Sequence, residues 1–326
     1  MLYSDDVLKN AIEENLFCGR NTKKCRIEAY KNVTESLQPH KETAYSYALG
    51  THWQINPAQQ LSVTASHQER IPNAQELYAH GMHLATNSFE FGNNALTKEK
   101  SNNFEIALKH QGEKLDYKVA SYLYDFDNYI YLLALNSGRT KDGSSAGRQP
   151  SENDVNAFRA NRYMQSPARF YGFEGNIGHQ VNPTYHLSVF GDYVKGKLVN
   201  IPDTTGATDA YGNTSVIQHP DRYTPRLPPM RLGTRVKADF DEHYSGDMEY
   251  YHVFDQNKLS KFEAKTLGHH MLNVGLNYHG NLSRSEYDVF LKANNLLDEK
   301  VYAHETFLPQ MPQMGRNFNL GINFKF

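Results

Sequence analysis

The stretch that decides the fold is the last one, Arg316-Asn-Phe-Asn-Leu-Gly-Ile-Asn-Phe-Lys-Phe326. Phe318, Leu320, Ile322, Phe324 and Phe326 alternate without a break with Asn317, Asn319, Gly321, Asn323 and Lys325. Strict period two gives a β-strand one apolar and one polar face. An apolar face kept up to the final carboxylate is unusual, because chain ends ordinarily fray into water. It suits a strand with lipid on one side: a tilted membrane-spanning strand needs about 9–11 residues, apolar outward and polar toward the lumen.

The same alternation recurs upstream in Tyr45–Ile55, Leu61–Ser66, Phe104–Leu108, Leu115–Phe126, Tyr171–Ile177, Tyr185–Tyr193, Met230–Phe240, Met248–Phe254, Leu272–Tyr278 and Tyr287–Ala293. With the last stretch this makes about eleven strands. Met230 to Phe240 is the cleanest of them, its apolar residues opposing Arg231, Gly233, Arg235, Lys237 and Asp239. The phase slips at Tyr122, Tyr124 and Phe126, which predicts a bulge or an aromatic lumen-facing patch. Short turns at Asn56-Pro57, Gln111-Gly112, Asn182-Pro183, Ser245-Gly246 and Gly280-Asn281 alternate with long polar segments at Glu69–Glu99, Ala134–Arg169, Gly196–Pro229, Asp255–Gly268 and Asp298–Gly315. Bacterial barrels have this asymmetry, with short periplasmic turns and long outer loops. The expected fold is therefore all-β, an antiparallel transmembrane β-barrel of the outer membrane in contact with its lipid. Its long loops are extracellular and its C-terminus periplasmic.

Bulk composition agrees. The 22 Tyr and 17 Phe stand against 1 Trp, and both strands and membrane-interface girdles favour aromatics. The negative mean hydropathy is no objection, since each lipid-facing residue is followed by a polar one. No apolar run approaches the ~18 residues of a membrane helix. A formal charge of -2 gives no push toward nucleic acid. Cys18 and Cys25, the only cysteines, read as an extracytoplasmic disulfide within an extracellular loop spanning 1–42. The alternative, a zinc pair, lacks a second Cys or His pair at finger spacing.

Eleven strands raise a topological problem. Single-chain bacterial barrels have even strand numbers, and an open sheet in lipid exposes unpaired N–H and C=O groups at several kcal/mol each. Residues 43–326 are accordingly expected to be the C-terminal part of a larger barrel. Eleven is half of the 22 strands of plugged outer-membrane transporters. The N-terminus, Met1 to Asn10, shows no secretion signal; either the signal was removed or this chain is the tail of something longer.

Particular motifs narrow the reading. Ala65-Ser-His-Gln-Glu-Arg70, Ala74-Gln-Glu-Leu-Tyr-Ala-His-Gly81, Glu99-Lys-Ser-Asn-Asn-Phe-Glu105, Phe170-Tyr-Gly-Phe-Glu-Gly175 and Lys292-Ala-Asn-Asn-Leu-Leu297, with the terminal Phe, resemble TonB-dependent outer-membrane receptors. Glu76-Leu-Tyr-Ala-His-Gly-Met-His83, Gly268-His-His-Met-Leu-Asn273 and Pro312-Gln-Met-Gly-Arg316 resemble the zinc-uptake receptors of that family. The resemblance implies zinc as a transported ligand, with TonB as the periplasmic partner acting through an N-terminal plug. It implies a zinc-holding role for His83, shared with partners on the plug and in an earlier barrel segment. The plug, the coupling box and the early strands have no counterpart in this sequence.

The candidate metal ligands are His80 and His83, with Glu76 and His67 as nearest helpers and Glu90 beside them. Two imidazoles separated by Gly81 and Met82 reach one Zn²⁺ if the glycine lets the backbone fold back. Without the resemblance they read as solvated loop histidines. His269 and His270, as neighbours on a strand, point to opposite faces. His304 and Glu305 read as solvated, though able to converge on the same vestibule. Three other classes compete: a haem or siderophore receptor, a surface adhesin, and a small outer-membrane barrel enzyme. The enzyme would need a nucleophile–base pair, for which the adjacent Ser66 and His67 are ill placed. The chain is therefore expected not to be an enzyme.

Overall fold

A computed structural model of the protein describes residues 40–140, 157–199, 204–208, 214–218, 223–282, 285–308 and 310–325. Cys18, Cys25, most of segment 1–42 and the final Phe326 lie outside the described residues. Fifteen strands form among the described residues, of which thirteen join in one sheet. Its continuous path is β1 (Tyr47–Asn56), β2 (Gln59–Arg70), β5 (Glu99–Gln111), β6 (Leu115–Thr140), β7 (Ala157–Gln180), β8 (Tyr185–Leu198), β11 (Arg231–Asp239), β12 (Tyr244–Val253), β13 (His269–Leu282), β14 (Ser285–Asn294) and β15 (Asn317–Lys325). These are the eleven expected strands, and each pairs antiparallel with the next along the path. The remaining strands belong to long connections: β3 (His80–His83) and β4 (Ser88–Phe91) between β2 and β5, and β9 (Thr204–Thr208) and β10 (Thr214–Gln218) between β8 and β11.

Register puts the alternation to use. Leu187, Val236, Met248, Val274, Ala293 and Phe318 face one another in turn across β8, β11, β12, β13, β14 and β15. On this face Leu276, Leu320 and Phe318 remain more than half exposed. A belt of exposed aliphatics and aromatics across successive strands is what lipid would cover. The other face carries charge in opposed pairs. Arg235 sits directly across from Glu249 and donates to its carboxylate through Nε at 2.8 Å, and Arg231 donates to Asp192 at 2.8 Å. Tyr122 and Tyr124 lie on this polar side, where the Tyr124 hydroxyl donates to Glu105. The phase slip at Tyr122 thus marks an aromatic patch on the polar face. The first bulge of β6 follows it, between Phe126 and Tyr129. Gly172 makes room for the patch, since a Cβ there would lie 2.3 Å from the Tyr193 carbonyl and 2.5 Å from the Tyr122 hydroxyl.

Three tight turns use one device. Asn56 Oδ1 accepts the Ala58 N–H at 3.0 Å, Asn182 Oδ1 those of Thr184 and Tyr185, and Asp241 Oδ1 those of His243 and Tyr244. Such side chains replace the missing strand partner at a reversal. Two expected turns move: Ser245-Gly246 and Gly280-Asn281 are inside strands, and the reversal expected at the first is at Asp241. At the first, the Asp241 side chain outweighs the glycine, and both glycines serve instead as small residues facing a neighbour.

At the opposite end the long connections carry more structure than the sequence suggests. Segment Glu69–Glu99 contains a helix, α1 (Ala74–Tyr78), and the β3–β4 hairpin; the described residues of segment Ala134–Arg169 are the prolonged ends of β6 and β7; and Gly196–Pro229 holds β9 and β10. Period-two patterning fails there because bulges between Phe126 and Tyr129 and between Ala134 and Gly138 shift the phase, and because both faces are covered. The pairing of β7 with β8 ends at Ala168 and Leu198. Beyond it, β4 pairs parallel with β7 from Ser88 opposite Arg159 to Phe91 opposite Arg162, filling an edge that would otherwise stay open. The buried apolar clusters are also at this end: Leu77, Leu96 and Ile130, and Tyr131, Ala168 and Leu198. Replacing Leu276 by Arg in the middle of the apolar face should cost about 2–4 kcal/mol of folding stability in a bilayer. An Asn277→Arg change on the polar face should cost far less, and urea titration of the two variants in vesicles checks the assignment of faces.

Candidate functional site

The chain leaves β2 through Ile71-Pro72 and enters α1 through a capping box. Asn73 Oδ1 accepts the Glu76 N–H at 2.9 Å and the Glu76 carboxylate accepts the Asn73 N–H at 2.8 Å. Glu76 also receives both bonds of Arg70, at 2.8 and 3.0 Å, and Arg70 reaches on to Glu99. This carboxylate holds the loop together through three accepted bonds. Gly92 lies so close to Leu77 that a Cβ would sit 2.6 Å from its carbonyl, and its N–H donates to Ala79 at 2.6 Å. That contact closes the loop and sets β3 and β4 side by side.

The hairpin reverses at Asn87, which adopts φ 46, a left-handed conformation that Asn tolerates better than most residues. His80 opposes Phe91 and His83 opposes Ser88. In an extended strand, residues three apart face opposite ways, so His80 and His83 diverge. His80 packs edge-on to Phe89 and Phe91, with ring centroids at 5.5 and 5.3 Å. Arg139 and Arg162 lie over the Phe91 ring. Burial, reinforced by the charge of Arg139, pushes the His80 imidazole below its ordinary value. A second cation is poorly received there.

His83 has different surroundings. Its Nδ1 lies 3.0 Å from Glu90 Oε1 and 3.0 Å from Thr86 Oγ1. The Glu90 side chain is 5% exposed and that of His83 47%. Glu90 is further fixed by Gln75 Nε2 at 2.8 Å and Ser88 Oγ at 3.4 Å. A buried carboxylate that takes Nδ1–H of an exposed imidazole leaves Nε2 as the nitrogen open to a ligand, the arrangement that commonly orients a metal-binding histidine. The Ser88-Phe-Glu-Phe91 alternation was the signal that places Glu90 beside His83.

His67 is elsewhere. It follows Leu61, Val63 and Ala65 on the apolar face of β2, stacks on Tyr47 at 5.2 Å, and bonds Asn102 Oδ1 at 2.8 Å through Nδ1. Ser66, on the other face, is bonded by Asn103, so the two make no nucleophile–base pair. Of the sequence candidates, then, the fold groups His83 with Glu90 and Thr86 and separates His80, Glu76 and His67 from them. No three His, Cys, Asp or Glu side chains among the described residues are grouped as a metal cage.

Thr86 and Ser88 form one wall of a cavity of about 720 Å³ enclosed by the long connections. Its lining includes five cations, Arg159, Arg226, Lys261, Lys265 and Lys300, against the carboxylates Glu263 and Glu299. Glu263 ties three connections together: it accepts the N–H of Arg226 at 2.6 Å and of Ser260 at 2.7 Å and lies 3.7 Å from His304 Nε2. Burial would raise its pKa, but His304 and the two N–H donors outweigh that and hold it below the usual range. Arg226 adopts φ 56, donates to the Leu132 carbonyl at 3.3 Å and lies 4.2 Å over the Phe307 ring. His304 is 7% exposed and bonded to Thr266 at 2.8 Å, a buried residue rather than a solvated one. Nothing in the local sequence marks this knot, because its members come from three separate connections.

Because the folded pKa of Glu263 is depressed, the knot contributes stability above the ordinary carboxylate value of 4.5 and loses it as pH falls through the folded value. Amide-exchange protection of residues 255–268 should therefore hold from pH 7 to pH 5 and collapse below that ordinary value. Glu263→Gln should show weak protection throughout. Separately, Asn73→Ala should cost about 1 kcal/mol of local stability in α1, read as faster exchange at Glu76 and Leu77.

Comparison with known proteins agrees with the sheet. The solved copper transporter OprC superposes on 87% of this chain and 40% of its own, with 17% identity and a TM-score of 0.65. The FrpB iron transporter from Neisseria meningitidis covers 86% of this chain and 39% of its own, at 13% identity and a TM-score of 0.56. The ferric-catecholate import receptor Fiu from K12 E. coli covers 85% and 34%, at 17% identity and 0.53. The chain thus spans about two fifths or less of the length of these solved structures. The profile of the TonB dependent receptor-like β-barrel family matches residues 26–296. With that span matched and the eleven-strand path in place, this chain belongs to the β-barrel of the TonB-dependent receptors, a family of outer-membrane transporters and receptors.

Proposed function

We propose that the protein is part of an outer-membrane receptor that imports zinc, energised by TonB through a plug. Its long connections face outside and its short turns face the periplasm. His83 is the capture ligand. The observation that carries this reading is the His83 Nδ1 to Glu90 Oε1 contact at 3.0 Å, which leaves Nε2 open beside the cavity. Imidazole nitrogen is a preferred zinc donor, and its basicity rises when a carboxylate holds the other ring N–H. A single protein ligand is an incomplete set for zinc, so the remaining positions fall to water or to residues outside this chain, the plug and earlier strands in the first place. The same proposal assigns residues 1–42 to an outer loop closed by Cys18 and Cys25, and closes the barrel with strands beyond the eleven.

A second reading has its own support. The five cations against two carboxylates around the 720 Å³ cavity suit an anionic metal chelate, a siderophore complex or haem, of the size such a cavity holds. Relatives of this fold include a copper transporter and a ferric-catecholate import receptor.

Zinc titration by calorimetry on the receptor in detergent separates the two. His83→Ala should weaken zinc binding at least tenfold, and Glu90→Gln should weaken it about 10-fold or more by freeing the imidazole. Unchanged zinc affinity in both variants, together with tight binding of a ferric catecholate, would establish the chelate reading instead.

A further inference from the structure

Toward the long connections, the outward face of the sheet changes character within one step of the strands. Leu123, Tyr171 and Lys195 stand directly opposite one another across β6, β7 and β8, and the next outward row is Asp125, Arg169 and Lys197. Leu123, Phe173 and Ile177 are exposed on the belt that leads up to these rows. At the level of Arg169 and Lys197 the inner face is the apolar one, since Ala168 and Leu198 are buried there with Tyr131. The polarity of the two faces is thus exchanged at this height. An outward apolar run that ends in lysine and tyrosine marks the boundary between acyl chains and headgroups.

Three lysines gather on that boundary. Lys195 Nζ lies 5.7 Å from the centre of the Tyr171 ring and Lys197 Nζ 5.2 Å from that of Tyr223. Lys258, from the connection after β12, lies 4.2 Å from the Tyr193 ring centre and donates to the Tyr193 hydroxyl. Phe173 opposes Tyr193 across the two strands, which puts this pair on the same outward face. Aromatic rings hold ammonium groups in place without neutralising them. None of the three lysines has a carboxylate partner among the described residues. The one carboxylate in the two rows, Asp125, is taken by Arg169 at 2.8 Å. Arg169 and Lys197 are direct cross-strand neighbours, an unfavourable arrangement of like charges that a bound anion would relieve.

We propose that Lys195, Lys197 and Lys258, with Arg169 beside them, bind the phosphate groups of an outer-leaflet lipid whose acyl chains lie along Leu123, Phe173 and Ile177. Ammonium and guanidinium groups make their strongest hydrogen bonds to such oxygens. Outward residues repeat about 7 Å apart along a strand and face one another about 5 Å apart across strands, so one phosphorylated headgroup reaches several of these cations. The adjoining apolar surface selects a lipid over a soluble anion, which could use the charges alone. None of these residues lines the basic cavity, so the lipid and a transported ligand occupy different places. The inference rests on the long connections facing outside and is independent of which metal the receptor carries.

The test is native mass spectrometry of the receptor in detergent, titrated with bis-phosphorylated lipid A. Lys195→Gln, Lys197→Gln and Lys258→Gln together should weaken binding about tenfold or more, whereas Lys237→Gln on the polar face should leave it unchanged. Lipid A stripped of its phosphates should bind wild type and the triple variant equally weakly, and excess inorganic phosphate should not displace the intact lipid. Wild-type affinity in the triple variant, or indifference to the lipid phosphates, would overturn the headgroup site. Displacement by inorganic phosphate would reduce it to a site for the free anion and overturn the lipid assignment. Orientation is read separately, by antibody labelling of intact cells carrying an epitope between β12 and β13. Labelled cells support the outer-leaflet assignment, and unlabelled cells overturn it even where the lysines hold lipid A.

Discussion

The constraint on which the rest depends is that backbone N–H and C=O groups in lipid find partners only within protein. In a helix the partners lie in the same segment; in a sheet they lie in the next strand, so every strand is stable only because its neighbour is present. The path from β1 to β15 meets this condition through nine interior strands, each paired on both sides. Among the described residues the outer edges of β1 and β15 have no partner strand. β1 is exposed along its whole length, and a paired strand would end that exposure.

That requirement also orders the rest of the molecule. Pairing consumes the backbone, so side chains are free to divide by face: aliphatics and aromatics toward lipid, Arg235 with Glu249 and Arg231 with Asp192 toward the other side. Where the sheet rises beyond the apolar belt, the same rule acts through different means. β4 fills the free edge of β7, and the capping box at Asn73 satisfies the first N–H groups of α1. The candidate ligand is a by-product of this satisfaction: His83 is oriented by Glu90, which is buried in the hairpin face.

The site divides into two kinds of chemistry. On the β3–β4 side a buried carboxylate orients an exposed imidazole. On the far side Glu263 gathers two backbone N–H groups and His304 into a buried knot. The basic lining between them favours anions.

How much of this was legible follows from which interactions are local in sequence. The eleven strands, their order and their faces could be read because period-two alternation and hairpin neighbours are local: Phe318 to Phe324 needs only β14 beside it. The Asn182 turn was legible for the same reason, whereas the reversal at Asp241 was hidden by the more conspicuous Gly246. The long connections were not legible, because bulges at Phe126–Tyr129 and Ala134–Gly138 shift the period and because burial there comes from other connections. Sequence proximity of His80 and His83 suggested one site; strand geometry sends them to opposite faces and gives His83 to Glu90. The sequence by itself determined the sheet, since each strand carries its own apolar face. Only the tertiary structure decided which polar groups meet, since Glu263, Arg226, Thr266 and His304 are brought together by loops whose conformations no local pattern encodes.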